Sequence, residues 1–472
     1  MAIENRIGKV KINKKGFLMD FDNKCIEEAI LKAAHEVDGL VKNIDPDSVY
    51  AHFSSKSEEF IAQALTEDVI LCLNMQKEYR SPHRPPSLDE IHDTVIDVLM
   101  DRGFERVSSS YSIYREGQNA LRLGWLKKRQ FAGNGYPKTL LKQREKWCKK
   151  QGIQNIKDLN EKIHQGKFLE LVSLDTERYE QELQKAVSQF EKKFQQKKIK
   201  VMIIAGPSSS GKTTTCKKLS QYLHNRGYTF KILEVDNYFF SSEEYPRDWF
   251  GDMDYELPES IDLCRLNKDL ESLIKGEAIY PPMNNFKIRT TSQEPFQLKE
   301  NEILLLDCLH GLYPPTTEAV PNNLKFKVYI ETYPGLFNNE GQPIKFTDIR
   351  MLRRMCRDVR DRGYTFQYTL EHWATVRKGD FKGIVPYILT ADACINGALL
   401  YDLPTLKYQL YNNNNESPFQ DQILTKYKER GRLDAYRRGI RVKKLLEQVE
   451  LPTTEEIKKI PKDNLIREFI GQ

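Results

Sequence analysis

Two hydrophobic periods divide the chain. Up to about residue 120, apolar positions recur at helical spacing, as in CIEEAILKAA and LDEIHDTVIDVLMDRG. That spacing lines one face of an α-helix. Gly103 closes the second run and predicts a helix stop. From about 120 to 195 the chain is dense in charge, as in LLKQREKWCKK and TERYEQELQKAVSQFEKKFQQKK. In the latter, Tyr179, Leu183, Ala186 and Phe190 keep helical spacing, which predicts an amphipathic connecting helix. From Ile199 the pattern changes: KVMIIAG, FKILEVD, EILLLDC and KFKVYIE are continuous apolar runs rich in β-branched residues and leucine. Such runs, separated by helical stretches, predict a parallel sheet covered on both faces. Three parts result: a mainly helical domain at 1–122, a helical linker at 123–198 and an α/β domain at 199–472.

Composition then narrows the class. A chain of 472 residues, 39% hydrophobic and 30% charged, is expected to be soluble and globular. The balance of 73 Lys+Arg against 67 Asp+Glu leaves only +6, with no concentrated basic run, so nucleic acid is not an expected partner. The opening MAIENRIGKVKINKKG lacks the apolar stretch of a secretory signal, and no run approaches the roughly 18 apolar residues of a membrane span. The eight cysteines form no C-x-x-C pair, which predicts neither a zinc site nor a disulfide framework. A cytoplasmic protein is the expectation.

The chemistry concentrates after the first strand-like run. GPSSSGKT, residues 206–213, fits G-x-x-x-x-G-K-S/T completely, between the strand VMIIA and the helix KTTTCKKLSQYL. Glycines let such a loop curl so that backbone N–H groups point inward, and the helix N-terminus adds a dipole that favours anions. Gly206, Ser208, Ser209, Ser210, Gly211, Lys212, Thr213 and Thr214 are therefore the expected seat of ATP phosphates. Lys212 would reach the β- and γ-phosphates and Thr213 would ligate Mg²⁺. Asp307 stands at the end of the apolar run in EILLLDC, where a second metal-facing acid is expected. Asp236 ends FKILEVD, 24 positions after Lys212. Ligands of open α/β sheets gather at the carboxyl ends of strands. There Asp236 is either the base for an acceptor hydroxyl or a turn-former before Asn237.

A G-protein reading would need a base-reading N-K-x-D. The nearest string, LNKDL, lies inside a helix whose Leu263, Leu266, Leu270 and Leu273 form a core stripe, and it is set aside. DIRMLRRMCRDVRDRG carries more information. Arg350, Arg353, Arg354 and Arg357 fall at i, i+3, i+4 and i+7, on one helical face. Four like charges in a stripe repel unless an anion is present, and arginine's fork binds two phosphate oxygens at once. The expectation is a mobile lid over the transferring phosphate.

With these motifs in this order, residues from about Ile199 onward resemble the uridine kinase/phosphoribulokinase family of P-loop kinases. The matching pieces are the phosphate loop, VDNYF, DYELPESID, LLDCLHGLYP, the arginine helix and WATVRKGDFKGIVPYILTADACINGALLYDL. The likeness implies a P-loop sheet with flanking helices and a helical lid, and ATP-dependent, Mg²⁺-dependent phosphorylation of a hydroxyl, such as a nucleoside 5′-hydroxyl. It implies Asp236 as base, Tyr238 beside the acceptor, and Glu256 on the ribose hydroxyls. Arg353, Arg357 and Arg362 would contact phosphate. The base-reading stretch departs from the family pattern. Asn284 and Asn285 precede Phe286, Lys287 and Arg289 follow, and no histidine is present. Phe286, Lys287 and Arg289 are thus acceptor-site candidates. The acceptor is a nucleoside or another small hydroxyl compound such as a sugar phosphate. His310, in the stretch after EILLL, reads as a packed histidine rather than a catalyst.

Residues of about 5–122 resemble a different family, the ATP-cone regulatory domain found at the front of ribonucleotide reductases. The pieces are VKINKKGFLMDFDNKCIEEAI, LTEDVI and SLDEIHDTVIDVLMDRGFERVSSSYSIYREGQNALR. The likeness makes Lys14, Lys15, Tyr114 and Arg115 candidates for a second, regulatory site for ATP or dATP. A helical module of this charge is alternatively a dimerisation domain, and a homo-oligomer is expected. Taken together, these features predict a regulated small-molecule kinase. The competing reading is a nucleotide sensor that phosphorylates nothing small.

Overall fold

The four β-branched runs become the sheet they predict, in a computed structural model. It describes all residues except 1–8, 12–17, 46–47, 76–84, 129–137, 241–253, 285–288, 293, 413–418, 431 and 472. The chain forms two compact units, residues 1–134 with 427–437, and residues 135–426 with 438–472.

In the first unit a short antiparallel pair, β1 (Lys9–Lys11) and β2 (Leu18–Asp20), precedes four helices. These are α1 (Asn23–His35), α2 (Glu58–Met75), α3 (Leu88–Asp101) and α4 (Glu105–Arg122). Ile30, Ile61, Leu65, Val69, Val95, Leu99 and Val107 interlock as their core. Ser87 and Glu90 close a capping box that starts α3, satisfying N–H groups the helix cannot. Gly103, at φ +88°, stops that helix as its sequence predicts. A polar lock crosses the bundle: the Tyr50 hydroxyl donates to Asp68 at 2.9 Å, and Arg102 Nε donates to the same carboxylate at 2.7 Å.

The second unit opens with α5 (Lys138–Lys150), α6 (Ile156–His164) and α7 (Phe168–Gln196). Tyr179, Leu183, Ala186 and Phe190 are all buried, so the predicted apolar face of α7 packs inward. The sheet follows: β3 (Val201–Ala205), α8 (Lys212–His224), β4 (Thr229–Glu234), α9 (Leu263–Lys275), β5 (Pro282–Asn284), β6 (Arg289–Thr291), β7 (Glu302–Cys308) and β8 (Lys325–Glu331). Next come α10 (Phe346–Asp361), α11 (Phe366–Gly383), β9 (Ala393–Asn396), α12 (Asp402–Asn412), α13 (Asp421–Glu429), α14 (Leu433–Glu447), α15 (Thr454–Lys458) and α16 (Arg467–Ile470), the end of α13 and the start of α14 belonging to the first unit.

Five strands pair in the order β4-β7-β3-β8-β9, all parallel. β3 sits in the middle and is buried along its whole length, whereas β4 at the edge is largely open to solvent. Coverage of both faces thus holds for the central strands and not for that edge. β9 and the small β5–β6 hairpin were not foreseen; four residues are too few for a hydrophobic period to show. The register sets Asp307 opposite both Ile204 of β3 and Glu234 of β4. The ends of three adjacent strands therefore converge on one rim. Among the described residues no helix is long and apolar enough to cross a membrane, and all eight cysteines are free thiols.

Candidate functional site

The site grows from the turn between β3 and α8. A Cβ on Gly206 would stand 2.3 Å from the Ile330 carbonyl oxygen, so only glycine fits against β8 there. Gly211 caps α8 at φ +96°, a conformation that costs other residues a clash. Ser209 adopts φ +61°, which a non-glycine residue holds only at the expense of about 1–3 kcal/mol. The hydroxyls of Ser209 and Ser210 are buried and have no hydrogen-bond partner among the described residues. A strained loop with unpartnered buried donors fits a polyphosphate. Lys212 Nζ donates to the Pro207 carbonyl at 3.2 Å, folding its ammonium over the loop.

On the rim beside it, Thr213 Oγ1 donates to Asp307 Oδ2 at 3.4 Å. Burial pushes the Asp307 carboxyl up to about 6; Lys212 draws it down, while the charges of Asp236 and Glu468 push it further up. A carboxylate crowded by burial and two like charges favours a cation. The two oxygens are close enough to share one ion with bonds of about 2.1 Å. No larger group of His, Cys, Asp and Glu suited to a metal gathers among the described residues. Mg²⁺ is usually held by one or two protein oxygens plus phosphates and water. The residues present therefore fit ATP with Mg²⁺. Asp236 lies in the short helical turn 235–238 just past β4, exposed at the same rim.

Opposite the loop, Arg354 of α10 joins several groups. Its Nη1 donates to Glu256 Oε1 at 2.6 Å and to Ser208 Oγ at 3.2 Å. Its Nε donates to Asp358 at 3.0 Å and its Nη2 to the Tyr255 hydroxyl at 3.3 Å. Burial pushes the Glu256 carboxyl up, but Arg354 and the His372 ring beside it outweigh that and hold it at about 2. Glu256 is thus a fixed anion behind the phosphate loop. Four rings run outward from it: Tyr255 on His372 at 4.7 Å, His372 on Tyr368 at 5.4 Å, and Tyr368 on Tyr364 at 4.6 Å.

The arginine stripe is answered by the chain's own carboxylates. Arg350 pairs with Glu331 and Asp380 in the core. Arg353 is fully buried and binds both oxygens of Asp402 at 2.8 Å as well as the Gly397 carbonyl. Neither needs an external anion to lie where it does, which is how four like charges share one face. Arg357 and Arg362 differ. Together with Arg354 they share the single buried Asp358, at 2.6 Å, 3.6 Å and 3.0 Å. With Arg354 also paired to Glu256, three guanidinium groups face two buried carboxylates, which leaves one excess positive charge in the cluster.

Other predicted residues are distributed unevenly. Tyr238 is turned into the core, its hydroxyl donating to Asp269 of α9 at 2.7 Å. Arg289 stands opposite Asn284 in the β5–β6 hairpin; Phe286 and Lys287 lie outside the described residues. His310 is buried, with Nε2 bonded to the Glu256 carbonyl at 2.8 Å, as a packed histidine should be. In the first unit Tyr114 is half exposed, while Arg115 donates to Asp93 at 2.7 Å and Asp89 at 3.3 Å on α3. Lys14 and Lys15 lie outside the described residues. Two groups had not been singled out. Arg354 stood in the arginine stripe but no role was assigned to it. Glu468, in NLIREFIG, gave no local signal at all, yet its Oε2 accepts from the Thr214 N–H at 3.0 Å and from the Thr214 hydroxyl at 2.7 Å.

Comparison with known proteins agrees with this geometry. Residues 201–399 match the model of the Phosphoribulokinase / Uridine kinase family, and residues 10–120 match that of the ATP cone domain. A uridine kinase of Anoxybacillus flavithermus is 28% identical over 180 residues, 38% of this chain and 77% of the relative. A uridine kinase of Borrelia hermsii is 28% identical over 198 residues, 42% of this chain and 86% of the relative. The structure of a possible uridine kinase from Bacillus stearothermophilus overlaps 42% of this chain and 89% of that one at 15% identity. Its TM-score of 0.27 is too low to carry an argument. The sensor reading falls with these matches. A phosphate loop on the central strand, two acids at neighbouring strand ends and an arginine helix accord with the match of residues 201–399 to the phosphoribulokinase/uridine kinase family model, and the chain is an ATP-dependent kinase that also carries a match to the ATP cone domain.

Proposed function

We propose that the protein transfers the γ-phosphoryl group of ATP to a nucleoside hydroxyl, the 5′-hydroxyl by preference, under the control of ATP or dATP bound by the first unit. The observation that carries this reading is the exposed Asp236 at the rim shared with Lys212 and Asp307. An ionised carboxylate there takes the hydroxyl proton as the acceptor oxygen attacks phosphorus. Lys212, Arg357 and Arg362 stabilise the charge that spreads over the transferred group. Arg354 fixes Glu256 so that its carboxylate can hold the sugar hydroxyls of the acceptor. Thr213 and Asp307 would hold Mg²⁺, which supplies charge neutralisation at the β- and γ-phosphates.

The cationic Lys287 and Arg289 after β5 keep a second acceptor class in play, a sugar phosphate whose own phosphate they would meet. An acceptor panel with labelled ATP separates the two. Phosphorylated nucleoside is the expected product. Product only with sugar phosphates would replace the first reading by the second, and no acceptor-dependent ADP release with either class would overturn both.

A further inference from the structure

The phosphate cradle already holds an anion of the chain's own. Thr214 is in the first turn of α8, where N–H groups have no helical partner. Glu468 fills that position with a carboxylate oxygen, taking both the N–H and the hydroxyl of Thr214. Its charge reaches Asp307 across the same cradle. The neighbouring Ser209 and Ser210 hydroxyls, both buried, remain without partners among the described residues, so the carboxylate satisfies only part of an anion seat.

The segment around Glu468 is seated on several sides. Leu465 lies so close under Gly211 that a Cβ there would meet its Cδ1 at 2.8 Å. Phe469 is fully buried under the Arg353 guanidinium, 4.8 Å from ring centre to carbon. Arg360 of the arginine helix donates to the Glu468 carbonyl at 3.0 Å. Arg467 ties α16 back to the Ile457 and Ile460 carbonyls at 2.9 and 2.6 Å. One short segment thus grips the start of the phosphate-loop helix and the arginine helix together.

We propose that residues 464–471 form an autoinhibitory latch, in which the Glu468 carboxylate occupies a phosphate position on Thr214 and must leave when ATP binds. A phosphate oxygen and the carboxylate cannot share one N–H, and their charges repel. The latch therefore lowers apparent ATP affinity by the fraction of molecules in which it is closed. Arg360 holds the carbonyl of the same residue, so release of the latch also frees one attachment of the arginine helix. ATP arrival and loss of that attachment become one event. The proposal rests on the phosphate loop being the seat of ATP.

The test is calorimetric titration of the full chain with MgATP, alongside backbone amide hydrogen exchange. E468A should bind about tenfold more tightly than the unaltered chain and E468Q should fall between them, because a charge-assisted bond competing with the ligand has been removed or weakened. R360A loosens the same segment without touching the cradle, and should tighten ATP by roughly threefold even if the Glu468 variants fold poorly. Amides of 464–471 should exchange faster when ATP saturates the unaltered chain. Equal or weaker ATP binding by E468A and R360A, or slower exchange of the segment with ATP, overturns the latch alone. No ATP binding by the unaltered chain or by any variant would overturn the assignment of the cradle itself.

Discussion

Asp236 and Glu256 are both carboxylates near the phosphate loop, but their surroundings give them different work. Asp236 is exposed at the rim, whereas Glu256 is buried against Arg354. D236N should lower kcat by about 10²- to 10⁴-fold, the usual range for a lost proton acceptor, while leaving the ATP dissociation constant unchanged. Single-turnover rates and calorimetry read the two separately; near-normal turnover would rule out Asp236 as the base. Glu256 is held at about 2, below its ordinary value of 4.5. A depressed folded value means its contribution to stability is present above pH 4.5 and disappears as the pH falls towards 2. E256Q leaves Arg354 buried without its main partner and should cost about 3 kcal/mol in denaturant unfolding. A cost near zero would show that Asp358 alone suffices for Arg354. His310 has the opposite chemistry. Burial lowers its ring to about 4, against some stabilising attraction from Glu256. The unfolded chain therefore takes up a proton near pH 6.5 that the folded chain refuses, and stability falls as the pH drops from 6.5 towards 4. H310N should flatten that slope by about 1 kcal/mol per pH unit. Unfolding can be followed by the fluorescence of Trp147 and Trp373, which lie in the same unit. An unchanged slope would show that His310 is not the group responsible.

At the level of elements, the phosphate loop and the arginine helix were legible to different degrees. The loop motif is local: four fixed positions within eight residues, a strand before and a helix after, all dictated by how a backbone must bend around phosphate. Its geometry follows from its letters, including the two glycines that no other residue replaces. G206A should abolish ATP binding, since the added methyl would press on the Ile330 carbonyl oxygen at 2.3 Å. Retention of ATP affinity within threefold would mean that the strand moves aside. The arginine helix was legible only as a stripe. Its periodicity could not tell Arg350 and Arg353, neutralised by Glu331, Asp380 and Asp402, from the cluster of Arg354, Arg357 and Arg362 on Asp358. The partners lie 19 to 49 positions away for the first two residues, and no periodicity spans such distances.

At the scale of the molecule, residues 135–198 of the expected linker belong to the unit that carries the kinase sheet. Asp175 of α7 receives Arg144 at 2.7 Å and the Leu400 N–H at 2.5 Å. Arg178 donates to the Asn396 and Ala398 carbonyls at 3.0 and 2.7 Å. The Gly397 carbonyl between them holds Arg353. The long helix thus braces the loop on which the arginine helix rests. The first unit is a separate compact body, and the proposed function gives it the sensing of adenine nucleotides. Initial rates at fixed acceptor should respond to added dATP in the full chain, and a chain lacking residues 1–122 should phosphorylate without that response. An identical response from both chains would remove the regulatory assignment.

Hydrophobic period and a contiguous motif, by themselves, determined the helical first part, the four principal strands, the phosphate loop and the acids at their ends. Each is a property of neighbours within a few residues, where backbone geometry and burial act directly. Only the tertiary structure decided which arginines are neutralised, that Arg354 links Ser208 to Glu256, that Tyr238 faces the core, and that Glu468 reaches Thr214 from 254 positions away. Those outcomes are pairings of buried charge. A charge removed from water takes whichever partner the fold brings within hydrogen-bond distance, and separation along the chain carries no trace of that choice.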